Sequence, residues 1–348
     1  MRRARSIVVG VIAIAAVAIA APMTCHDVNA TNVRIVVPKG ANLRVTAESL
    51  YANHVIRFPR LFRAYGMVKG HDRSIRAGTY VLQPGMSWGE VLDLLRGGKS
   101  LEVRITIPEG WSLSQIVPQL ARVLDAPADS VEAAVRDTAL LHRLDVPTPT
   151  LEGYLFPDTY VFPVGTSPRA AVRLMVARFE QVWQPEWDGI LQQRAINRND
   201  VMSLAAIVEK EARLPEERPV IAAVYLNRLR VGMRLQADPT VQYAMGRHVT
   251  RVFYKDLEID SPYNTYKYAG LPPGPIASPG KPSIVAALNP ASVKYLFFVA
   301  FPDGHHEFTA SLAQHDAAKA RARRAWDSLA ATRRDSVRPA PVTPAQNR

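Results

Sequence analysis

Glu211 has the surroundings that a general acid needs. The hydrophobic spacing of residues 199–213 predicts a helix. At 100° per residue, one face of this helix carries Glu211 together with the apolar residues Leu204, Ile207 and Val208. A carboxyl on an apolar face loses water, so its pKa rises and it can hold a proton near neutral pH. Such a group can protonate a leaving group, which is general acid catalysis.

A second carboxylate, Glu209, precedes Glu211 by two residues and points to nearly the opposite side of the helix. Carboxylates at that spacing cannot serve one site together. A structural role is the alternative for Glu211, because a glutamate at the edge of an apolar face can reach water or pair with Arg213 or Arg218. The helix alone leaves both interpretations open.

Two helices are predicted to position this carboxyl. Asn199 or Asp200 is expected to cap the first helix at its N-terminus. Apolar residues at helical spacing predict the second helix over residues 218–230, and it is expected to stop near Gly232. Glu211 lies near the C-terminal end of the first helix, shortly before the second helix begins.

A short loop follows the second helix. Asp238 and Pro239 are typical of a turn or a helix start, and Pro239 suits the first helical position. Gln236 lies just before them, on a loop from which a side-chain amide can face a cleft. Gln236 and Asp238 are therefore candidate substrate-binding residues.

Residues 261–280 contain five prolines and three glycines, which exclude a helix or a central strand. A flexible linker would leave the tyrosines at positions 263, 266 and 268 without a role. We therefore expect a rigid loop that lines a cleft. Tyr263 and Asn264 are its candidate substrate contacts.

The segment LEGYLFPDTYVFP at residues 151–163 combines aromatic residues with carboxylates. Aromatic faces beside carboxylates are the usual means of gripping sugar rings. Glu152 is the candidate for a second functional carboxylate. An ordinary core strand with a turn at Pro157 and Asp158 is the alternative.

Four motifs carry a specific resemblance. They are LEGYLFPDTY, EKEA, NRLRVGMRLQADPTVQYA and SPYNTYKYAGLPPGPIASPGKPSIVAALNP, in that order along the chain. From about residue 33 to about residue 326, the chain resembles the endolytic murein lytic transglycosylases of the bacterial cell envelope. A fainter resemblance links it to lysozyme-like lytic transglycosylases, in which a catalytic Glu, a Gln-containing loop and a Tyr-Asn pair follow in order. Glu211, Gln236, Tyr263 and Asn264 match that order, whereas Ala212 stands where a hydroxyl residue usually follows the Glu.

The resemblance implies a reaction that needs one carboxyl. Glu211 would protonate the glycosidic oxygen, and the sugar's own 6-hydroxyl would then attack the anomeric carbon and return a proton to Glu211. Gln236, Tyr263 and Asn264 would orient the sugar and stabilise charge, and Glu152 would add electrostatic support. The product would carry a 1,6-anhydro-muramoyl end, and the cut in new strands would end glycan elongation. No cofactor is expected.

Two other functions stay open. On the same scaffold, a hydrolytic muramidase would use Glu152 or Asp238 to position a water molecule, since glycoside hydrolysis usually employs two carboxyls. A wall-binding scaffold with an inactive site would not need Glu211 at all.

The predicted fold class is α+β, with an N-terminal membrane helix, a small LysM-like α/β module and a larger mixed α+β catalytic domain that holds a lysozyme-like catalytic helix. The module is predicted at residues 33–108, the catalytic domain at 109–332 and a disordered tail at 333–348. The order strand-helix-helix-strand-helix in the module is similar to the glycan-binding modules of the resembled family. A packing subdomain that binds nothing is the alternative.

Residues 7–25 carry no charge and are long enough to cross a bilayer as a helix. Three arginines precede them, which predicts that residues 1–6 stay in the cytoplasm. A cleaved signal peptide is the alternative. The resemblance implies a single-pass anchor in the inner membrane and a periplasmic catalytic domain.

The formal net charge of +12 suits an anionic membrane face or anionic wall polymers. No aromatic-basic repeat points to nucleic acid. The resemblance implies peptidoglycan glycan strands as the substrate and leaves cell-wall synthases as candidate partners. The chain has one cysteine, Cys25, and His305, His306 and His315 lack the spacing of known metal sites, so no metal is expected.

Overall fold

A computed structural model of the chain describes residues 33–38, 40–70, 75–82, 86–97, 101–247, 249 and 252–337. The predicted cytoplasmic tail and membrane anchor at residues 1–6 and 7–25 lie outside the described residues, as does the end of the predicted C-terminal tail. Within these ranges, no helix is both long enough and apolar enough to span a membrane.

The chain divides into two compact units. Unit 1 takes the described residues up to Ile105 together with Leu120–Pro127 and Tyr160–Ala171, and unit 2 takes the other described residues. Helices and short antiparallel sheets alternate along both units, which makes the fold mixed α+β, as predicted.

Unit 1 contains the predicted order strand-helix-helix-strand-helix. Its first five elements are β1 (Val33–Val37), α1 (Leu43–Ala52), α2 (Pro59–Val68), β2 (Gly78–Leu82) and α3 (Trp88–Gly97). Strands β1 and β2 pair antiparallel, with Val33 opposite Leu82. The core between sheet and helices is fully buried at Ile35, Phe62 and Trp88. Two further strands, β3 (Glu102–Thr106) and β4 (Thr159–Pro163), form a sheet of their own.

Helix boundaries in unit 1 follow from local capping. A capping box begins α3, because Ser87 and Glu90 each accept a hydrogen bond from the other's backbone amide. Helix α1 begins after Asn42, whose side chain caps it by accepting a hydrogen bond of 3.0 Å from Val45 N.

The remaining helices are α4 (Leu113–Leu124), α5 (Ala128–Val135), α6 (Thr138–Leu144), α7 (Pro168–Val182), α8 (Pro185–Arg194), α9 (Arg198–Glu211), α10 (Arg218–Arg230), α11 (Asp238–Ala244), α12 (Lys281–Leu288) and α13 (Leu312–Val337). Strands β5 (Phe297–Ala300) and β6 (His306–Thr309) form an antiparallel hairpin. Helix α13 runs five residues into the predicted tail, so the prediction of disorder from residue 333 is wrong up to Val337.

Helix α9 is the centre of unit 2, where it packs against α10, α11 and α12. Its residues from Val201 to Val208 are all buried. The predicted cap at Asn199 or Asp200 is wrong: Asn197 is the N-cap, and it forms a capping box with Asp200. Asn199 lies inside the helix, where its side chain donates to Pro273 O.

The proline-rich segment at residues 261–280 is a fixed loop, as predicted. Residues 274–280 are buried. Pro273 O accepts a hydrogen bond of 2.9 Å from Asn199 Nδ2, and Ser278 exchanges backbone hydrogen bonds with Gly110 and Trp111. Pro275 packs directly on Gly153, where a Cβ would lie 2.4 Å from the proline ring. The loop therefore holds the segment around Glu152 in place.

Candidate active site

Glu211 is the last residue of α9, and its side chain meets helix α10. The hydroxyl of Tyr225 donates a hydrogen bond of 3.0 Å to Glu211 Oε1. Part of Glu211 reaches solvent, yet burial of the carboxyl raises its pKa to about 7. The Tyr225 bond and the Arg228 charge work against that rise, whereas the Asp238 charge adds to it. The carboxyl therefore titrates near neutral pH, and its pKa is raised as its position on the apolar face predicted.

Glu209 faces a different part of the molecule. Its Oε2 accepts hydrogen bonds from Gly280 N at 3.1 Å and from Ser283 Oγ at 2.7 Å, which are groups at the start of α12. Its Oε1 lies 3.6 Å from the guanidinium of Arg218. Arg218 thus pairs with Glu209, and the two carboxylates of α9 serve separate sites, as the helical geometry predicted.

Arg228 is a buried cation beside Glu211. Its guanidinium donates to Leu296 O at 2.7 Å and also to Leu235 O. Burial lowers its pKa, while the nearby Tyr225, Tyr266 and Glu211 favour the charged form. Arg228 therefore ties α10 to the loop that precedes α11 and places a positive charge near the carboxyl.

Asp238 is the first residue of α11, and it accepts a hydrogen bond from a tyrosine of the proline-rich loop. Tyr266 Oη donates a hydrogen bond of 2.6 Å to Asp238 Oδ1. Burial raises the pKa of Tyr266, and Asp238 raises it further. Glu211, Asp238 and the two tyrosines thus form one hydrogen-bonded and electrostatic cluster, which we call the Glu211 cluster (Glu211, Tyr225, Arg228, Asp238 and Tyr266).

Gln236 occupies an unusual backbone conformation beside this cluster. Its φ is 49°, in the left-handed region that favours glycine. The conformation is held by Thr265, whose carbonyl accepts from Gln236 N at 3.1 Å and whose hydroxyl accepts from Ala237 N at 3.0 Å. The Gln236 side chain is exposed. Strain of this kind is often kept where a side chain must be aimed at a ligand.

Glu152 lies in a second cluster. It is 3% exposed, and its carboxylate accepts from Leu113 N, at the start of α4, at 3.0 Å. Burial raises its pKa to about 7, against the opposing hydrogen bonds from Leu113 and from the hydroxyl of Tyr243. Glu152 is therefore a buried carboxyl that fixes the start of α4 and meets α11 through Tyr243.

Tyr263 joins this second cluster and not the Glu211 cluster. Its ring lies 4.7 Å from that of Tyr243, centroid to centroid. The side chain of Tyr243 forms hydrogen bonds with both Tyr263 and Glu152, so it links Tyr263 to Glu152. We call this group the Glu152 cluster (Glu152, Tyr243 and Tyr263).

Asn264 is fully buried, and its side chain forms its hydrogen bonds within its own loop. Its Nδ2 donates to Leu257 O at 2.8 Å and to Ile259 O at 2.9 Å, and its Oδ1 accepts from Tyr266 N at 3.0 Å. With all these groups satisfied, Asn264 shapes the turn that presents Tyr266 to Asp238.

Two adjoining depressions lie beside the Glu152 cluster. The first, of about 240 Å³, is lined by Gly110, Lys210, Pro239 and Tyr243 among others, and so includes the chain neighbours of Glu211 and Asp238. The second, of about 560 Å³, is lined by Glu132, Arg136 and Glu152. Both include Ser114, Tyr243 and Gly246, so they form one groove along the α4 and α11 side of unit 2.

Two of the histidines named above, His305 and His306, pair with carboxylates. His306 Nδ1 lies 2.6 Å from Glu217 Oε2, and His305 Nδ1 lies 2.5 Å from Asp303 Oδ1. In the part of the chain that the structure describes, no group of three or more His, Cys, Asp or Glu residues is arranged to hold a metal ion.

A model of the YceG-like family matches residues 35–321, which is most of the chain. The chain belongs to the YceG-like family. It is 36% identical over 305 residues to an endolytic murein transglycosylase of Bacillus subtilis, and the match covers 83% of this chain and 84% of that protein. An endolytic murein transglycosylase of Streptococcus pneumoniae is 30% identical over 299 residues, and the chain spans 54% of its length.

A crystal structure of a YceG-like protein from Listeria monocytogenes has a similar fold. It superimposes with a TM-score of 0.58 at 31% sequence identity, and the match covers 83% of this chain and 99% of that one. The Glu211 cluster, the Glu152 cluster and the groove all lie within the residues that match the YceG-like family.

Four residues of the two clusters, Tyr225, Arg228, Tyr243 and Tyr266, are absent from the sequence-based candidates. Tyr225 lies among the apolar residues of the helix predicted over residues 218–230. A signal for Tyr225 exists in the sequence, because a tyrosine on a buried helical face needs a partner for its hydroxyl. Nothing in the sequence pairs Arg228 or Tyr266 with the carboxylates.

Proposed function

We propose that this YceG-like protein is an endolytic murein lytic transglycosylase. It cuts the bond between N-acetylmuramic acid and N-acetylglucosamine within peptidoglycan strands and leaves 1,6-anhydro-muramoyl ends, which terminates glycan elongation. The observation that carries the proposal is a carboxyl, Glu211, whose pKa of about 7 lets it both give and take a proton near neutral pH. The residue before it, Lys210, lines the groove. Its relatives in Bacillus and Streptococcus are named for the same reaction.

In the proposed first step, Glu211 gives its proton to the glycosidic oxygen as the bond to the anomeric carbon breaks. The Tyr225 bond occupies Oε1 and leaves Oε2 as the oxygen that carries the proton. Tyr225 and Arg228 then stabilise the carboxylate that results, since both favour the ionised form of Glu211.

In the second step, the 6-hydroxyl of the same sugar attacks its anomeric carbon, and the hydroxyl proton passes to ionised Glu211. The acid is thereby restored and no water is consumed. The Asp238 carboxylate, held by Tyr266, stabilises positive charge at the anomeric carbon. The Gln236 amide orients the sugar, and the Glu152 cluster supports the strand further along the groove.

The sequence-based role of Asn264 changes in this proposal. Its side chain is buried and bonded, so it positions Tyr266 and does not contact the sugar. Tyr263 remains a substrate contact through the ring pair that it forms with Tyr243 on the groove. Helix α9 is then the equivalent of the catalytic helix of lysozyme-like enzymes.

The proposal places the reaction outside the cytoplasm. Residues 7–25 anchor the protein in the inner membrane with residues 1–6 in the cytoplasm, and the catalytic domain at 109–332 faces the periplasm. The module at residues 33–108 is LysM-like and binds glycan. Cell-wall synthases are proposed partners, since the substrate is the strand that they make.

Product mass in heavy-oxygen water tests the reaction. Purified uncrosslinked glycan strands are digested in H₂¹⁸O by the wild type and by the Glu211→Gln and Glu209→Gln variants. We expect anhydro ends without ¹⁸O from the wild type and from Glu209→Gln, and none from Glu211→Gln. Products that carry ¹⁸O would identify a hydrolytic muramidase. No cleavage by any form would favour the inactive scaffold, whereas cleavage by Glu211→Gln would rule out Glu211 as the acid.

A further inference from the structure

Helix α2 of unit 1 exposes an apolar surface that nothing in the described part of the chain covers. Phe58 precedes the helix and is 40% exposed, and Leu61, Met67 and Val68 are 53%, 51% and 86% exposed. The opposite face is buried at Phe62 and Gly66. A 10-residue helix that packs through one face thus presents large apolar side chains through the other.

The same surface is basic and contains no acidic residue. Arg57, Arg60, Arg63 and Lys69 are all exposed, and the sequence has no Asp or Glu between Glu48 and Asp72. None of these four cations forms an ion pair with a described carboxylate. Arg57 lies over the ring of Phe58 and Lys69 over that of Tyr65, at 5.6 and 5.8 Å.

The neighbouring helix α3 shows that this composition belongs to α2 and not to unit 1 as a whole. The exposed residues of α3 include Glu90 and Asp93. Its apolar side chains, among them Trp88 and Leu95, are buried. Exposed apolar residues interleaved with cations are typical of helices that lie in the interface of an anionic bilayer.

The sequence keeps unit 1 close to the membrane. Seven residues separate Cys25, at the end of the apolar run, from Val33 in β1. An extended chain of that length spans at most about 25 Å. A module of this size has a radius of gyration on the order of 11 Å, so any of its faces can turn to the bilayer. The short linker therefore keeps the exposed side of α2 within reach of the bilayer. The apolar and basic composition of α2 indicates that this is the face that contacts it.

We propose that the exposed side of α2 rests on the anionic outer surface of the membrane that holds the anchor. Leu61, Met67 and Val68 enter the interface, and Arg57, Arg60, Arg63 and Lys69 bind lipid phosphates. The inference rests on the anchor of the proposed function and adds a second attachment to it. It gives unit 1 a fixed orientation at the site where new strands emerge.

The test uses the full chain reconstituted in vesicles, with Cys25→Ser and an environment-sensitive fluorophore attached through Val68→Cys. A matched probe attached through Asp93→Cys reports the polar face of α3. We expect the emission at position 68 to shift to the blue in vesicles that contain phosphatidylglycerol and not in phosphatidylcholine alone. The probe at position 93 should stay unchanged in both, and Arg60→Glu with Arg63→Glu should abolish the shift at position 68.

The possible outcomes separate the anchor from the α2 surface. If the chain does not float with neutral vesicles, it lacks the anchor. The α2 proposal is then still tested by the emission of the probe at position 68 in anionic vesicles. An unchanged spectrum at position 68 in every vesicle would overturn the α2 proposal, as would a shift that survives both charge reversals. A shift on adding soluble glycan strands in detergent would identify the surface as a glycan site and overturn the lipid assignment. Arg96→Glu on α3 is the matched charge reversal, and it should leave the shift intact.

Discussion

Tyr225 and Glu211 are joined across two packed helices, because the Tyr225 hydroxyl donates a hydrogen bond of 3.0 Å to Oε1 of Glu211. The bond favours the ionised carboxylate, and burial opposes it. It also fixes which oxygen of the carboxyl is free. The tyrosine is therefore placed to control both the orientation of the carboxyl and the pH range in which it titrates.

We expect Tyr225→Phe to lower kcat by about ten- to hundredfold, which corresponds to the loss of a hydrogen bond to a charged group. The pKa of Glu211 should rise further, because the Tyr225 bond is one of the interactions that hold it down. The pH dependence of kcat would show this as a shift of the alkaline limb to higher pH. Tyr268→Phe removes a similar bond to Asp260 at an exposed position and should leave both quantities unchanged.

The pH profile of kcat/KM distinguishes one functional carboxyl from two. A general acid with a pKa of about 7 predicts activity that is constant at lower pH and falls tenfold per unit above about pH 7. For a muramidase that also needs an ionised carboxylate, the profile of kcat/KM would also fall at acidic pH and would be bell-shaped. Glu152 has a similar pKa, so Glu152→Gln is the control. The alkaline limb should persist in that variant, and its loss would assign the titration to Glu152.

The raised pKa values also predict how stability depends on pH. A carboxyl with a pKa of about 7 in the folded chain and about 4.5 when unfolded binds more protons in the folded state between these values. The free energy of unfolding therefore falls as pH rises from about 4.5 to about 7. The expected loss is on the order of 3 kcal/mol for each of Glu211 and Glu152.

Denaturant titrations at pH 5 and pH 8 measure this effect. Glutamine does not titrate, so Glu211→Gln and Glu152→Gln should each remove about 3 kcal/mol of the difference between the two pH values. The double variant should remove both contributions, because the carboxyls belong to separate clusters. A wild-type difference that neither variant changes would show that both carboxyls titrate normally.

Features governed by local geometry were predictable from the sequence. Helix α10 has the predicted bounds, because its apolar spacing and the glycine that follows it are local signals. The separation of Glu209 from Glu211 follows from the helical repeat alone. Helix α9 begins one residue before the predicted start, because three neighbouring polar residues, Asn197, Asn199 and Asp200, compete for the cap. It ends at Glu211, two residues before the predicted end.

The partners of the candidate residues were not predictable, since they depend on how distant segments meet. Tyr263 and Asn264 are adjacent in sequence and were assigned one role. The turn sends Tyr263 to the ring of Tyr243 and Asn264 inward to the carbonyls of Leu257 and Ile259. The tyrosine that reaches the Glu211 cluster from this loop is Tyr266, and only the packing of the loop against Asp238 reveals it.

Gln236 allows its side chain and its backbone to be tested separately. Its φ of 49° strains any residue that carries a Cβ. Gln236→Gly should relieve the strain, and Gln236→Ala should retain it, so the glycine variant should be about 1 kcal/mol more stable than the alanine variant. If the Gln236 amide orients the sugar, both variants lose it and both should show a similar fall in kcat/KM.

If position 236 matters only because the loop needs the left-handed conformation, the two variants should differ in kcat/KM. Glycine would then keep wild-type kcat/KM, and alanine would lose activity only in proportion to its loss of stability. Thr265→Val is the companion variant, because it removes the hydroxyl that holds Ala237 N while leaving Gln236 in the chain. If Gln236 acts through its aimed amide, Thr265→Val should lower kcat/KM in the same direction as Gln236→Ala. The two changes combined should then cost less than the sum of their separate effects, since each disturbs the same contact.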